Sequence, residues 1–364
     1  KILKPTIDAQ FLPEGGHILN NTINTIGIVL KDEYGYGVPK ISGELRDEKN
    51  NILTSFKVNQ LGIGRFSFLA KNNKNYKIIL SNNGTEQVFN FSEKIELNGV
   101  LLKTKRIKDE VLISLATNPS TYNKIKDKKY TVTIHNGSKI SSLMYNFGAK
   151  LFITKKVNFK ELNPGVNIIT LFDENNNPIS ERLIFNYQNI SIANSSKIGL
   201  EDKNDSLSIK LSYNSILPSN FSNLSVSVLP QNTKSYAKNT SLISQSLIKP
   251  YIKGRIENSK YYFLNATKKE KYDLDNLLLT QGWSSYNWSE IFNFTPNYSN
   301  IFEQGISVKI NNIKDNTVLI HRLSNRNSEI LSPNNSSKSI RASEFFPQNK
   351  ENLFVSEIDK KGVL

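Results

Sequence analysis

The chain contains no cysteine. Disulfides, thiolate metal sites and cysteine nucleophiles are therefore excluded. This suits a cytosol, or a bacterial envelope whose domains are large enough to hold without covalent staples. The three histidines, His17, His135 and His321, lie far apart, and none stands in a ligand spacing such as HExxH. Each is expected at the surface or in a loop, and neither a metal nor a cofactor is expected. No apolar run approaches the ~18–20 residues of a membrane-crossing helix, so no transmembrane helix is expected. No secretory leader opens at Lys1. The expectation is that a leader has been removed or that the chain is a fragment.

Catalytic signatures are also missing. There is no GxSxG elbow, no P-loop and no GxGxxG after a strand. Nothing marks a carboxylate pair of the kind that hydrolyses glycosides. The chain is read as a non-enzyme. Nucleic-acid binding lacks its basic motif interleaved with aromatics and is not expected.

What is present is a foldable composition, with 38% hydrophobic and 22% charged residues in 364. That length implies about two to four domains. The net charge of +15 permits an anionic partner. The denser runs, KTKRIK (103–108), KIKDKK (124–129) and KKEK (268–271), are short and scattered, and are read as solvated faces. An anion-binding surface stays open as a further reading.

The pattern is that of strands. INTIGIVL (23–30), GRFSFLA (64–70), YKIIL (76–80), YTVTIHNGSKISSLM (130–144) and SLSIKLSY (206–213) alternate or run apolar between turn residues about 8–12 apart, as in β-sandwiches. NLSVSVLP (223–230) reads the same way. Asn136-Gly137 signals a hairpin. NPGVNIITLFDENNNPISERLIFNY (163–187) reads as turn, strand, loop and strand. Acidic pairs recur at Asp32-Glu33, Asp47-Glu48 and Asp173-Glu174. They are read as hairpin turns in which Asp bonds nearby amides, with calcium or catalysis as the alternative.

One short helix is expected near 273–282, capped by Asp273 and closed by Gly282 in a left-handed conformation. Leu274, Leu277 and Leu278 would share its buried face. Trp283, Tyr286 and Trp288 follow it. Buried, they would lock the helix onto a sheet; exposed, they would form a platform for a glycan. The segment SPNNSSKSIRASEF (332–345) reads as loop. Val363-Leu364 would begin a returning strand, so further chain is expected.

IDAQFLPEGG (7–16), the run GIVLKDEYGYGVPKISGEL that follows, and NILTSFKVNQLGIGRFSF (51–68) resemble the opening of a macroglobulin domain. The likeness is to the alpha-2-macroglobulin family as found in Bacteroidota envelope proteins. Its structural motif is Pro13, Glu14, Gly15 and Gly16, with Gly62 and Gly64 allowing a bulge. LNPGVNIITLFDENNNPISERLIF resembles the final hairpin of the next such domain. LDNLLLTQGWSSYNW (274–288) resembles the block that closes this region, with Gln281 for a histidine and Ser284-Ser285 for two arginines. Glu303-Gln304-Gly305 has no cysteine beside it, so a thioester trap is excluded.

The resemblance implies an all-β fold of tandem macroglobulin-like (immunoglobulin-like) sandwiches at 1–95, 96–190 and 191–302, with a partial carboxypeptidase-regulatory-like β-domain at 303–364. It further implies a non-enzymatic, extracytoplasmic scaffold of the bacterial outer-membrane envelope, on its periplasmic face or the cell surface. The expected partners are outer-membrane or periplasmic proteins, a TonB-dependent transporter among them. The alternative is a surface-glycan binder using Trp283, Tyr286 and Trp288.

Overall fold

A computed structural model describes residues 7–82, 84–190, 195–203, 206–213, 229–230, 232–233, 239–263, 266–282, 284, 286–293, 306–311, 317–322, 328–332, 339–345 and 352–358. The fold is mostly β, in small antiparallel sheets, and divides into two compact units at 1–289 and 290–364.

The first unit opens with a sandwich made of β1 (Asp8–Pro13), β2 (Ile18–Leu19), β3 (Thr22–Lys31), β4 (Ser42–Asp47), β5 (Ile52–Lys57), β6 (Ile63–Ala70), β7 (Tyr76–Asn82), β8 (Thr85–Phe91) and β9 (Ile95–Glu96). One sheet has the order β1-β3-β6, the other β5-β4-β7-β8, and β2 pairs in parallel with β9. The alternating apolar positions of these strands meet in a core of Ile26, Ile28, Leu45, Phe66, Phe68, Ile78 and their neighbours. This is the period-2 burial that the sequence predicts.

A second sandwich follows in β10 (Val100–Ile107), β11 (Glu110–Thr117), β12 (Lys129–His135), β13 (Ile140–Asn146), β14 (Phe152–Asn158), β15 (Gly165–Phe172) and β16 (Pro178–Asn186), with helix α1 (Pro119–Ile125) between β11 and β12. Its sheets run β10-β11-β14 and β13-β12-β15-β16. The strand order is that of the first sandwich, element for element, and is immunoglobulin-like. β17 (Ser195–Lys203) and β18 (Ser206–Tyr213) then form a hairpin. NLSVSVLP, apart from its last two residues, lies outside the described residues.

Helix is more abundant than expected. α2 (Leu242–Leu247), α3 (Lys268–Gln281) and α4 (Trp288–Phe292) join α1 among the described residues. The helical block of α2 and α3 packs on the outer face of β15 and β16. There Ile248, Ile252, Tyr262, Leu274, Leu277 and Leu278 share a core with Val166, Ile168, Leu183 and Phe185. Ile63 of the first sandwich belongs to the same core.

Four loops share one geometry. They begin at Asp32, Asp47, Asn59 and Asp173, whose side-chain oxygens accept hydrogen bonds from the amides two and four residues on. The fourth residue, Gly35, Asn50, Gly62 or Asn176, has positive φ. The acidic pairs are thus turn devices, as expected. Gly62 closes such a turn. β3 and β6 pair without a register shift, so the expected bulge at Gly62 and Gly64 is absent. The Asn136-Gly137 hairpin forms, but His135 pairs with Ile140, giving a four-residue loop and not the two-residue turn.

The second unit holds β19 (Ile306–Asn311), β20 (Thr317–Arg322), β21 (Ser328–Leu331), β22 (Ser339–Phe345) and β23 (Leu353–Ile358), paired as β19-β22 and β21-β20-β23. Val318, Ile320 and Ile340 are its core. The expected loop at 332–345 is therefore in part a strand, because Ile340 buries between strands. Val363-Leu364 lies outside the described residues.

Candidate functional site

The PEGG turn is where the two sandwiches meet. Pro13 ends β1, and Gly15 and Gly16 turn the chain at φ 79° and 93°, a region that favours glycine. A Cβ on Gly15 would stand 2.3 Å from Ser180 Oγ, so the turn also lies against β16. Ser180 Oγ donates to the Gly15 carbonyl at 3.0 Å. The turn points the Glu14 carboxylate inward, where only 7% of the residue is exposed. Glu14 Oε1 accepts from the Thr104 amide and from Arg182 Nε, each at 3.2 Å.

Arg182 passes the charge on. It is 2% exposed, and its Nη2 donates to Asp275 Oδ1 at 2.8 Å. The other oxygen of Asp275 accepts from Arg65 Nη1 at 2.7 Å. Arg65 also donates to the Tyr272 hydroxyl and lies 4.3 Å over its ring. One carboxylate on α3 thus holds an arginine from each sandwich. Burial alone would raise the Asp275 pKa, but Arg182 and Arg65 hold it below the ordinary value. A carboxylate engaged by two guanidiniums is a clamp and a poor proton acceptor.

Helix α3 delivers Asp275 because its ends are fixed. The cap is Thr267, in a reciprocal capping box with Glu270. Asp273 is not the cap. It sits inside the helix, 4% exposed, and accepts from the Tyr261 hydroxyl at 2.6 Å. Gly282 is extended, at φ −63° and ψ 135°, and not left-handed. It bridges to Ile252 instead. The leucine face is as expected, with Leu274, Leu277 and Leu278 at 2% exposure or less. α3 also crosses β3 closely: a Cβ on Gly27 would lie 2.2 Å from Leu279 Cδ2.

A second cluster lies on the outer face of β12, β15 and β16. Tyr286 and Trp288 stack with centroids 6.1 Å apart. Both meet His135 edge-on, at 4.7 and 5.3 Å, and Trp288 meets Phe172 at 5.1 Å. Beside them Glu181 accepts from Ser284 Oγ at 3.0 Å and Thr170 Oγ1 at 3.3 Å. Burial raises the Glu181 pKa against these bonds. Burial also lowers that of His135. His135 is 4% exposed, which corrects the expectation of a surface or loop position. The rings that cover it return from 150 residues later in the chain. Tyr286 stays 38% exposed, so the pair is a half-buried lid. Trp283 lies outside the described residues.

The KTKRIK run is not simply a solvated face. Arg106 stacks 3.8 Å from the Phe159 ring and donates to the Phe185 carbonyl. Lys103 Nζ reaches the Ile23 carbonyl of the first sandwich at 2.9 Å. Burial lowers the pKa of both. Sequence reading missed Arg65, Arg182 and Asp275. The signals present were an arginine inside the apolar strand ISERLIF and the capping pair Thr267 and Glu270. Among the described residues no group of three or more His, Asp or Glu is placed to hold a metal ion.

No family model matches the chain, and no curated protein matches it. Among solved structures it is similar to adhesin InvE of Yersinia pseudotuberculosis at 11% identity, over 53% of this chain and 66% of that one, with a TM-score of 0.19. A tetra-tandem repeat from the extending region of a large adhesion protein is similar at 11% identity, over 57% and 63%, with a TM-score of 0.23. A DUF4785 family protein of Legionella pneumophila is similar at 8% identity, over 50% and 56%, with a TM-score of 0.19. The match spans less than two thirds of each of these chains.

Proposed function

We propose that this chain is a non-enzymatic, extracytoplasmic scaffold and protein-binding module of the bacterial outer-membrane envelope. In this reading it is associated with a TonB-dependent transporter or another outer-membrane complex. The observation that carries the reading is the Glu14–Arg182–Asp275–Arg65 network. It commits the buried Glu14 and Arg182 and the half-buried Asp275 and Arg65 to holding two sandwiches and a helical block together. A spacer needs that stiffness, and a hydrolytic site would need those carboxylates free.

Docking would use a sheet edge. β13 is an edge strand of the second sandwich. It carries Ile140 and Met144, 64% and 51% exposed. An extended segment of an outer-membrane partner can add to such an edge, taking main-chain hydrogen bonds from it and side-chain contacts from its face. No helix among the described residues is long and apolar enough to cross a membrane.

The test is purification of the full-length protein from its native outer membrane in mild detergent, with cross-linking and mass spectrometry. The expected result is a stoichiometric β-barrel, on the same chain or as a partner, cross-linked near β13. Recovery of the protein without any barrel would overturn the reading.

A further inference from the structure

A groove of about 460 Å³ opens between the two sandwiches, within the range of small-molecule sites. One wall is the outer face of β10, β11 and β14. The other is the outer face of β3 and β6. Lys103, Ser114 and Thr154 form one row across the first wall, and Lys105 and Leu112 the next. Thr25 and Ser67 face them, with the Ser67 hydroxyl 3.3 Å from that of Thr25. Arg65 and Phe152 complete the lining.

The charges in this groove do not cancel. Arg65 is matched by Asp275, and Glu14 is engaged by Arg182. Lys103 is half-buried, its one bond here goes to a neutral carbonyl, and burial lowers its pKa with only Glu14 opposing. Lys105 lies two residues along the same strand face, about 7 Å away, and is exposed. A pair of ammonium groups beside a groove, one of them partly desolvated, gains free energy from an anion.

The rest of the lining defines the anion. Hydroxyls dominate the polar positions, and the Phe152 side is open, with the residue 55% exposed. Hydroxyls match the hydroxyls of a sugar, and an exposed ring gives its apolar face a surface. Both walls are sheet faces whose backbone groups are used in the strand ladders. An extended peptide would find no strand to pair with there. A nucleic-acid strand would need a series of rings to stack on, and the groove has one.

We propose that this groove binds an acidic oligosaccharide, with a sugar ring against Phe152 and its carboxylate or sulfate at Lys103 and Lys105. The inference does not rest on the scaffold reading: a scaffold with no glycan would fail the following test and still retain its barrel partner.

Titration calorimetry of the whole chain would use a heparin-derived tetrasaccharide, an oligogalacturonate of equal length, neutral cellotetraose and an acidic peptide of equal charge. Binding of either acidic sugar at least tenfold tighter than cellotetraose and the peptide is expected, and which of the two wins separates sulfate from carboxylate. Lys103→Gln with Lys105→Gln should weaken it at least tenfold, and Phe152→Ala several-fold. Lys105→Gln alone, at an exposed position, should weaken it measurably while leaving the thermal midpoint unchanged. Lys124→Gln with Lys126→Gln, on exposed residues outside the groove, should leave it unchanged. No binding of either acidic sugar, equal loss in this control pair, equal binding of cellotetraose or the peptide, or unchanged binding in the two lysine variants would overturn the proposal.

Discussion

The two sandwiches share a strand order, yet their matching strands live in different surroundings. β7 of the first has polar, partly exposed residues at its end, whereas all eight residues of β15 in the second are buried. The difference is the helical block, which covers the outer face of β15 and β16. An antiparallel sheet needs only one buried face. The second sandwich has two, and it therefore depends on a segment about a hundred residues downstream. The same topology can thus be a self-sufficient module or half of a larger core.

The strongest way to break this contrast is to remove Arg182. Arg182→Ala leaves Glu14 buried without its ion partner and frees Asp275 from one sandwich. A loss of about 3–5 kcal/mol in denaturant unfolding is expected. A loss under about 1 kcal/mol would show that the network is dispensable. Next comes the apolar seam. Leu277→Ala, at a residue 1% exposed, should cost about 2–5 kcal/mol. Val88→Ala on β8 of the first sandwich, 61% exposed, should stay within about 0.5 kcal/mol. Similar losses in the two variants would erase the contrast. Thr267→Ala removes the α3 cap and should cost about 1 kcal/mol. It should loosen the second sandwich and leave amide exchange in β4 and β7 unchanged.

The smallest effect has the opposite sign. Glu181 is half-buried beside the aromatic lid, and burial raises its pKa above the ordinary 4.5. Its contribution to stability is present below 4.5 and is lost as pH rises through the raised value. Glu181→Gln should therefore unfold at a slightly higher temperature than wild type at pH 7, with the gap closing below pH 4.5. Asp275 runs the other way. Its pKa lies below 3.8, so its contribution is intact above 3.8 and is lost as pH falls through the depressed value. Thermal midpoints at pH 3, 4 and 7 in Glu181→Gln and in Asp275→Asn would separate these signs.

What could be read in the sequence was what depends on near neighbours. The strands follow from alternation, and the Asp-led loops from a side chain bonding amides two and four residues on. The PEGG turn follows from two adjacent glycines. α3 was legible from Leu274 onward, but its first turns, KKEKYD, are polar and carry no period. Asp273, just before the leucines, was therefore the apparent start, although Thr267 and Glu270 spell a capping box. The network was not legible. Arg182 reaches Glu14 across 168 residues and Asp275 across 93, and Arg65 reaches Asp275 across 210. A charged residue in a strand gives no sign of a partner so distant. His135 is buried for the same kind of reason, since Tyr286 and Trp288 come back to cover it.

The clamp at Asp275 also sets an order on folding. Glu14, Arg65 and Arg182 reach the compartment where the chain folds long before residue 275, and domains generally begin folding as they emerge. The first sandwich can close on its own core. The second can build its interior, but the outer face of β15 and β16 waits, with Glu14 the one carboxylate on Arg182 and with Ile168, Leu183 and Phe185 still wet. Only when α3 has emerged do both arginines gain their shared carboxylate. Helix α3 is thus the step that commits the emerging chain, and a pause before residue 275 would leave a sticky, half-finished sandwich for chaperones to guard.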